Sequence, residues 1–132
     1  MYFSEIKAFV MHQTNNDSDD LGDFAPYLNG YINEGYEELV QAYAGEATHV
    51  LSTSTTYPPL RNDSDVPAIP EWAHLALAHY ATYCIYGNGT QQKQNRGYPF
   101  LAKYKEVLSK IRHAGGSAGI ATPITTFSNI PT

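Results

Sequence analysis

The stretch Asp23 to Tyr43, DFAPYLNGYINEGYEELVQAY, decides how this chain folds. Phe24, Tyr27, Leu28, Tyr31, Ile32, Gly35, Tyr36, Leu39, Val40 and Tyr43 recur at spacings of three and four, which puts them on one stripe of a helix. Asp23 suits the N-cap, Pro26 falls in the first turn where its missing N–H costs little, and Gly45 closes the pattern. Gly30 and Gly35 each weaken a helix by about 1 kcal/mol against alanine, so both predict a closely packed neighbour. Glu34, Glu37 and Glu38 lie beside the stripe and read as its solvated face.

Downstream, Pro70 to Tyr86 predicts a helix with Pro70 as its first residue and Trp72, Leu75, Ala76, His79, Tyr80, Tyr83, Cys84 and Tyr86 along it. Leu77 and the alanines at 73, 78 and 81 make it apolar nearly all round, which belongs at the centre of a bundle or between subunits. Gly87-Asn88-Gly89 ends it. A last helix follows, with Phe100, Leu101, Tyr104, Val107, Leu108 and Ile111 on one face and Lys103, Lys105, Glu106, Lys110 and Arg112 opposite. It starts at Pro99, or near Gln91 with a kink at Gly97-Tyr98-Pro99. Upstream, a short helix from a Ser4 N-cap to about Gln13 puts Ile6, Phe9, Val10 and Tyr2 on its apolar side.

These segments predict an all-α fold: a small bundle of about four helices over residues 1–113. Asn15 to Gly22 is a polar connector. The loop from Glu46 to Ile69 is rich in Ser, Thr, Asp and Pro; Thr48 to Tyr57 suits a strand or half of a short β-hairpin before Pro58 and Pro59 stop it. Val50, Leu51, Tyr57, Leu60, Val66 and Ile69 are its apolar anchors. Residues 114–132 carry no charge and no helical period, only Ile120, Ala121, Ile124, Phe127 and Ile130 as apolar points; they read as an extended C-terminal arm lying on another subunit.

Composition bounds the function. Among 132 residues, 42% are apolar and only 16% charged, so the surface is rich in neutral polar groups or covered by partners. Eleven tyrosines and five phenylalanines exceed what one small core encloses, and tyrosine suits surfaces that are dry when assembled and wet when free. A net charge of -5 argues against sequence-specific DNA binding, and Cys84 alone forms no internal disulfide. No apolar run reaches the roughly 18 residues that span a membrane, and the start lacks a leader pattern.

Chemistry-bearing patterns are sparse. His74 and His79 are five residues apart and share no helical face, so a zinc pair is not expected. Asp17, Asp19 and Asp20 before Gly22 imitate a calcium loop, but Leu21 and Leu28 stand where ligands belong. No phosphate-binding loop is present, and the hydroxyls of Ser52 to Thr56 have no evident base. Neither cofactor, metal nor catalytic residue is expected.

Two motifs resemble a known family. Asn33-Glu34-Gly35-Tyr36 followed by Leu39, and Ile69-Pro70-Glu71 leading into an alanine-rich helix with Tyr80 and Tyr83, are similar in order and spacing to the head-to-tail connector and adaptor (neck) proteins of tailed bacteriophages. A polar stretch and a helix with Phe100, Tyr104 and Leu108 follow, so the resemblance covers roughly residues 23–112. It implies a structural virion protein, assembled in the host cytoplasm into a ring beneath the portal, usually of twelve copies, that joins capsid to tail. Implied partners are the portal ring, neighbouring adaptor copies and a downstream tail or stopper protein, with DNA passing through the bore unread. The contact candidates for portal or neighbour are Ile120, Ile124, Phe127 and Ile130 of the arm, with Tyr57 and Leu60 of the loop. The competing expectations are a tail-completion or stopper ring, a small cellular helical interaction module, and an enzyme assembled from His49, Glu71, His74 and His79.

Overall fold

The computed structural model describes residues 1–14, 25–44 and 57–113. Their elements are α1 (Phe3–Gln13), a 3-10 turn (Ala25–Tyr27) running into α2 (Leu28–Ala44), a second 3-10 turn (Glu71–Ala73) running into α3 (His74–Gly87), and α4 (Gln91–His113). The fold is an all-α bundle, with no strand among the described residues. The expected strand or half-hairpin over Thr48 to Tyr57, apart from Tyr57 itself, and the arm from Ala114 to Thr132 lie outside them.

α3 is the central element, touching α1, α2 and α4. Ala76, Leu77, Ala78, Ala81 and Ile85 are all buried, because a helix apolar all round lowers its free energy by accepting neighbours on every side. Around it close Phe3, Ile6 and Val10 of α1; Leu28, Ile32, Tyr36, Leu39 and Val40 of α2; and Tyr104, Leu108 and Ile111 of α4. The α2 stripe therefore faces the core as its periodicity predicts, except that Tyr27 is 59% exposed.

The first helix starts earlier than expected. Tyr2, not Ser4, is the N-cap, and its N–H donates to the Glu5 carboxylate at 2.7 Å. The N–H groups of Phe3 and Ser4 donate to the carbonyls of Asp65 and Asp63 at 2.8 and 3.1 Å. Loop carbonyls thus satisfy helix-end donors that a serine side chain would otherwise serve. This register turns Phe3, Ile6 and Val10 inward and leaves Tyr2 and Phe9 exposed, correcting both apolar assignments.

Pro70 is likewise not a helical residue: it is extended, and its carbonyl accepts the N–H of Ala73 at 2.9 Å to open the 3-10 turn. Trp72 consequently points outward. At α4 the earlier start holds. Thr90 accepts the N–H of Gln94 at 2.9 Å, and the helix runs through Pro99, which lies on its exposed side. Gly97 allows this helix to lie close on α3, since a Cβ there would stand 3.1 Å from the Tyr86 Cβ.

The proline-rich loop is anchored to its own chain. Asn33 grips Leu60 on both sides, its Nδ2 donating to the Leu60 carbonyl at 2.9 Å and its Oδ1 accepting the Leu60 N–H at 2.8 Å. The Tyr36 hydroxyl accepts the N–H of Ala68 at 2.8 Å. Asp65 Oδ2 accepts the N–H groups of Asn62 and Arg61, both at 2.8 Å, which holds its carboxyl below the usual range. Leu60 and Ile69 are buried, whereas Val66 is exposed and anchors nothing in the core.

Candidate interaction face

Where α2, α3 and α4 meet, tyrosines line up side by side. Tyr27 stacks obliquely on Tyr31, with ring centroids 6.5 Å apart. The Tyr31 hydroxyl takes a bond from Asn88 Nδ2 at 3.3 Å, and the same amide caps the Cys84 carbonyl at 2.8 Å. Beyond it, Tyr80 lies 6.5 Å from Tyr83 and 4.8 Å from Tyr104, and Tyr83 lies 6.5 Å from Tyr98. Six of the eleven tyrosines make up this band in two groups, Tyr27 with Tyr31 and Tyr80 with Tyr83, Tyr98 and Tyr104, and Tyr27 and Tyr98 are 59% and 50% exposed.

Gly35 makes the band's close packing feasible. A Cβ at that position would come within 2.9 Å of the Tyr80 ring, so only hydrogen fits, as the sequence predicts. Gly30 has open space around it and packs against nothing.

The glutamates expected to be simply solvated have partners in the band. The Tyr80 hydroxyl donates to Glu34. The Tyr104 hydroxyl donates to Glu38 at 2.6 Å, with the Gly35 carbonyl at 3.1 Å sharing its proton. Burial first, then the carboxylate that holds each proton, drives both phenols far above their ordinary pKa. They stay neutral across the physiological range and act as fixed donors.

The same surroundings leave the one cysteine unactivated. The Cys84 thiol, half-buried beside Tyr80, is pushed up to about 11, mainly by burial and further by Glu34, against a lowering hydrogen bond from Tyr80. A thiol in that state is protonated at neutral pH and unreactive.

The histidines do not converge. His74 is buried, with Nε2 donating to the Ile69 carbonyl at 2.8 Å and Nδ1 facing the Met1 amino group at 2.9 Å. His79 points the other way: Gln13 Nε2 donates to its Nδ1 at 3.0 Å, and its ring lies 5.9 Å from Phe100. Burial first, then nearby Lys103, lowers the His79 pKa. Glu71 is 3.4 Å from His74 and is held below its usual range mainly by its bond to the Met1 amino group. His49 lies outside the described residues, and among those described no three His, Cys, Asp or Glu gather as metal ligands.

Of the contact candidates, Ile120, Ile124, Phe127 and Ile130 lie outside the described residues. Leu60 is only 3% exposed and is gripped by Asn33, so its side chain serves the chain's own core. Tyr57 is half-buried against that core. The tyrosine band was not among the sequence candidates. Its signal was the tyrosine excess, but helical spacing says nothing about which tyrosine on one helix meets which glutamate on another.

A broad, shallow concavity of about 440 Å³ also runs along Glu5, Ala8, Phe9 and His12 on the outer side of α1. No helix among the described residues is long and apolar enough to cross a membrane. The chain matches no family model, no curated protein and no solved structure.

Proposed function

We propose that this protein is a structural assembly subunit that binds by shape, as a head-to-tail adaptor working in a ring beneath a phage portal. The observation that carries this reading is the tyrosine band across α2, α3 and α4. Rigid aromatic rings with polar tips supply contact area at little entropic cost, and they tolerate water before a partner arrives. The two motifs behind the family resemblance support it in physical terms. Asn33 and Tyr36 pin the proline-rich loop, while Glu34 and Gly35 seat Tyr80, so the motif is a framework that holds a surface in place.

In this role the chain performs no chemical step. Ring closure needs two different, mutually complementary patches on each subunit. The arm over residues 114–132, with Ile120, Ile124, Phe127 and Ile130, would reach the portal, and DNA would pass the wall without condensing on an acidic protein.

Co-sedimentation with purified portal rings tests the proposal, comparing the full chain with one truncated after His113. Binding that the truncation abolishes supports an adaptor with a docking arm. Binding that survives keeps the adaptor and removes the arm's role. No binding by either form overturns the adaptor reading in favour of a stopper ring or a cellular helical module.

A further inference from the structure

The net charge of -5 conceals a separation of charge between helices. α4 carries Lys93, Arg96, Lys103, Lys105, Lys110 and Arg112, six of the chain's eight Lys and Arg, against one carboxylate, Glu106. α2 carries Glu34, Glu37 and Glu38 and no basic residue. Most other carboxylates of the described residues are engaged. Asp63 pairs with Lys7 at 2.7 Å, Glu71 with the Met1 amino group at 2.7 Å, and Glu5 and Asp65 take backbone N–H groups.

Glu34 and Glu38, unlike Asp63 and Glu71, have neutral tyrosine hydroxyls rather than cations as their partners. With Glu37, Gln41 and Tyr80 they line a concavity of about 250 Å³. On α4, Lys103 and Lys110 are two helical turns apart, about 10 Å along the axis. Each ammonium is held over an aromatic ring, Lys103 at 5.7 Å from Phe100 and Lys110 at 4.6 Å from Trp72. Neither has a carboxylate partner among the described residues.

No ion pair joins Glu34 or Glu38 to Lys103 or Lys110 among the described residues of one chain. Tyr104 of α4 reaches toward α2, whereas Phe100, under Lys103, packs on His79, whose ring is held by Gln13 of α1. The lysine flank therefore opens on the α1 side of the bundle, away from the acidic concavity.

We infer that the acidic, tyrosine-lined concavity of α2 and α3 is the docking surface for the Lys103/Lys110 flank of α4 from a second copy of this chain. Local charge complementarity selects that occupant: a second copy presents, in one concavity, the carboxylates that Lys103 and Lys110 lack as partners. The contact joins two different faces, so it repeats head to tail and closes into a ring when the rotation allows. It rests on the assembly reading above for its biological purpose, and its test needs only the chain itself.

Sedimentation velocity of the full chain over a concentration series, at low salt and at about 0.5 M salt, measures the contact. The double variants E34K/E38K and K103E/K110E should each weaken low-salt self-association at least about tenfold, and an equimolar mixture of the two should restore it. Restoration follows because every contact in an alternating assembly then pairs opposite charges. Since Glu38 also seats Tyr104, E34Q/E38Q serves as the second variant: it keeps acceptors for both hydroxyls while removing the charge, and it should weaken association too.

A wild-type chain that stays monomeric at low salt overturns the inference, as does association that neither K103E/K110E nor E34Q/E38Q weakens. Loss of DNA retention in K103E/K110E with unchanged self-association assigns the flank to a polyanion and also overturns it. Self-association with the expected charge dependence but no portal binding keeps this interface and removes the adaptor role. Portal binding by a chain whose self-association ignores the reversals does the opposite.

Discussion

The two sides of α3 are packed by different chemistry. Toward α1 the contact is made by Phe3, Ile6 and Val10, all fully buried and without polar atoms on their side chains. Toward α2 and α4 apolar residues such as Ile32, Leu39 and Leu108 are joined by Tyr80 and Tyr104, whose hydroxyls end on Glu34 and Glu38. The first side is held mainly by burial, which has no direction, with Gln13 of α1 adding hydrogen bonds to His79 and Thr82 at one end. The second adds charge-assisted hydrogen bonds, which fix orientation and leave charged carboxylates at the rim. Stability therefore rests most simply on the α1 side, while the tyrosine side carries the features that a partner could recognise.

Substitutions can break this comparison in order of expected effect. Ile6→Ala removes a fully buried side chain on the dry side and should cost about 2–5 kcal/mol in chemical denaturation. Should it cost less than Tyr104→Phe, the division of labour between the two sides is wrong. Gly35→Ala drives a Cβ into the Tyr80 ring; overpacking outweighs the gain in helix propensity, and the net loss should be about 1–3 kcal/mol by thermal or urea unfolding. The same change at Gly30, which has open space, should stabilise by up to about 1 kcal/mol.

Tyr104→Phe keeps the ring and deletes the hydroxyl. It should cost about 1–2 kcal/mol, since Glu38 can turn to water but the Gly35 carbonyl loses a donor. The smallest effect is a pH dependence on the α1 side. His79 has its folded pKa lowered from 6.5, so the unfolded chain binds a proton more readily. Its contribution is complete above about 6.5 and is lost as pH falls through the lower folded value. His79→Gln should flatten that part of a stability-against-pH curve, and an unchanged slope would show that another group titrates there.

Some of the site could be read from the sequence and some could not. Gly35 announced a close neighbour because a glycine inside a strongly periodic helix has a cost that packing must offset. Glu34 and Glu38 looked like solvated residues because their hydroxyl partners are 46 and 66 residues away. Leu60 looked available for a partner because an apolar residue in a proline-rich loop has no periodicity to mark it as core. Asn33, from 27 residues upstream, is what turns it inward.

The sequence by itself determined the existence of the helices and the apolar stripes of α2 and α4, and offered the bundle centre as one of two places for α3, because spacing at three and four residues is a local property that backbone geometry converts directly into a face. It also determined the uneven charge of α2 and α4, which is a matter of composition. Only the tertiary structure decided that tyrosine hydroxyls meet carboxylates, that the loop closes on Asn33 and Tyr36, and that the lysine flank and the acidic concavity open in different directions. Those outcomes depend on how helices cross and which rotamers fit at the crossing, and such long-range geometry leaves no periodic trace along the chain.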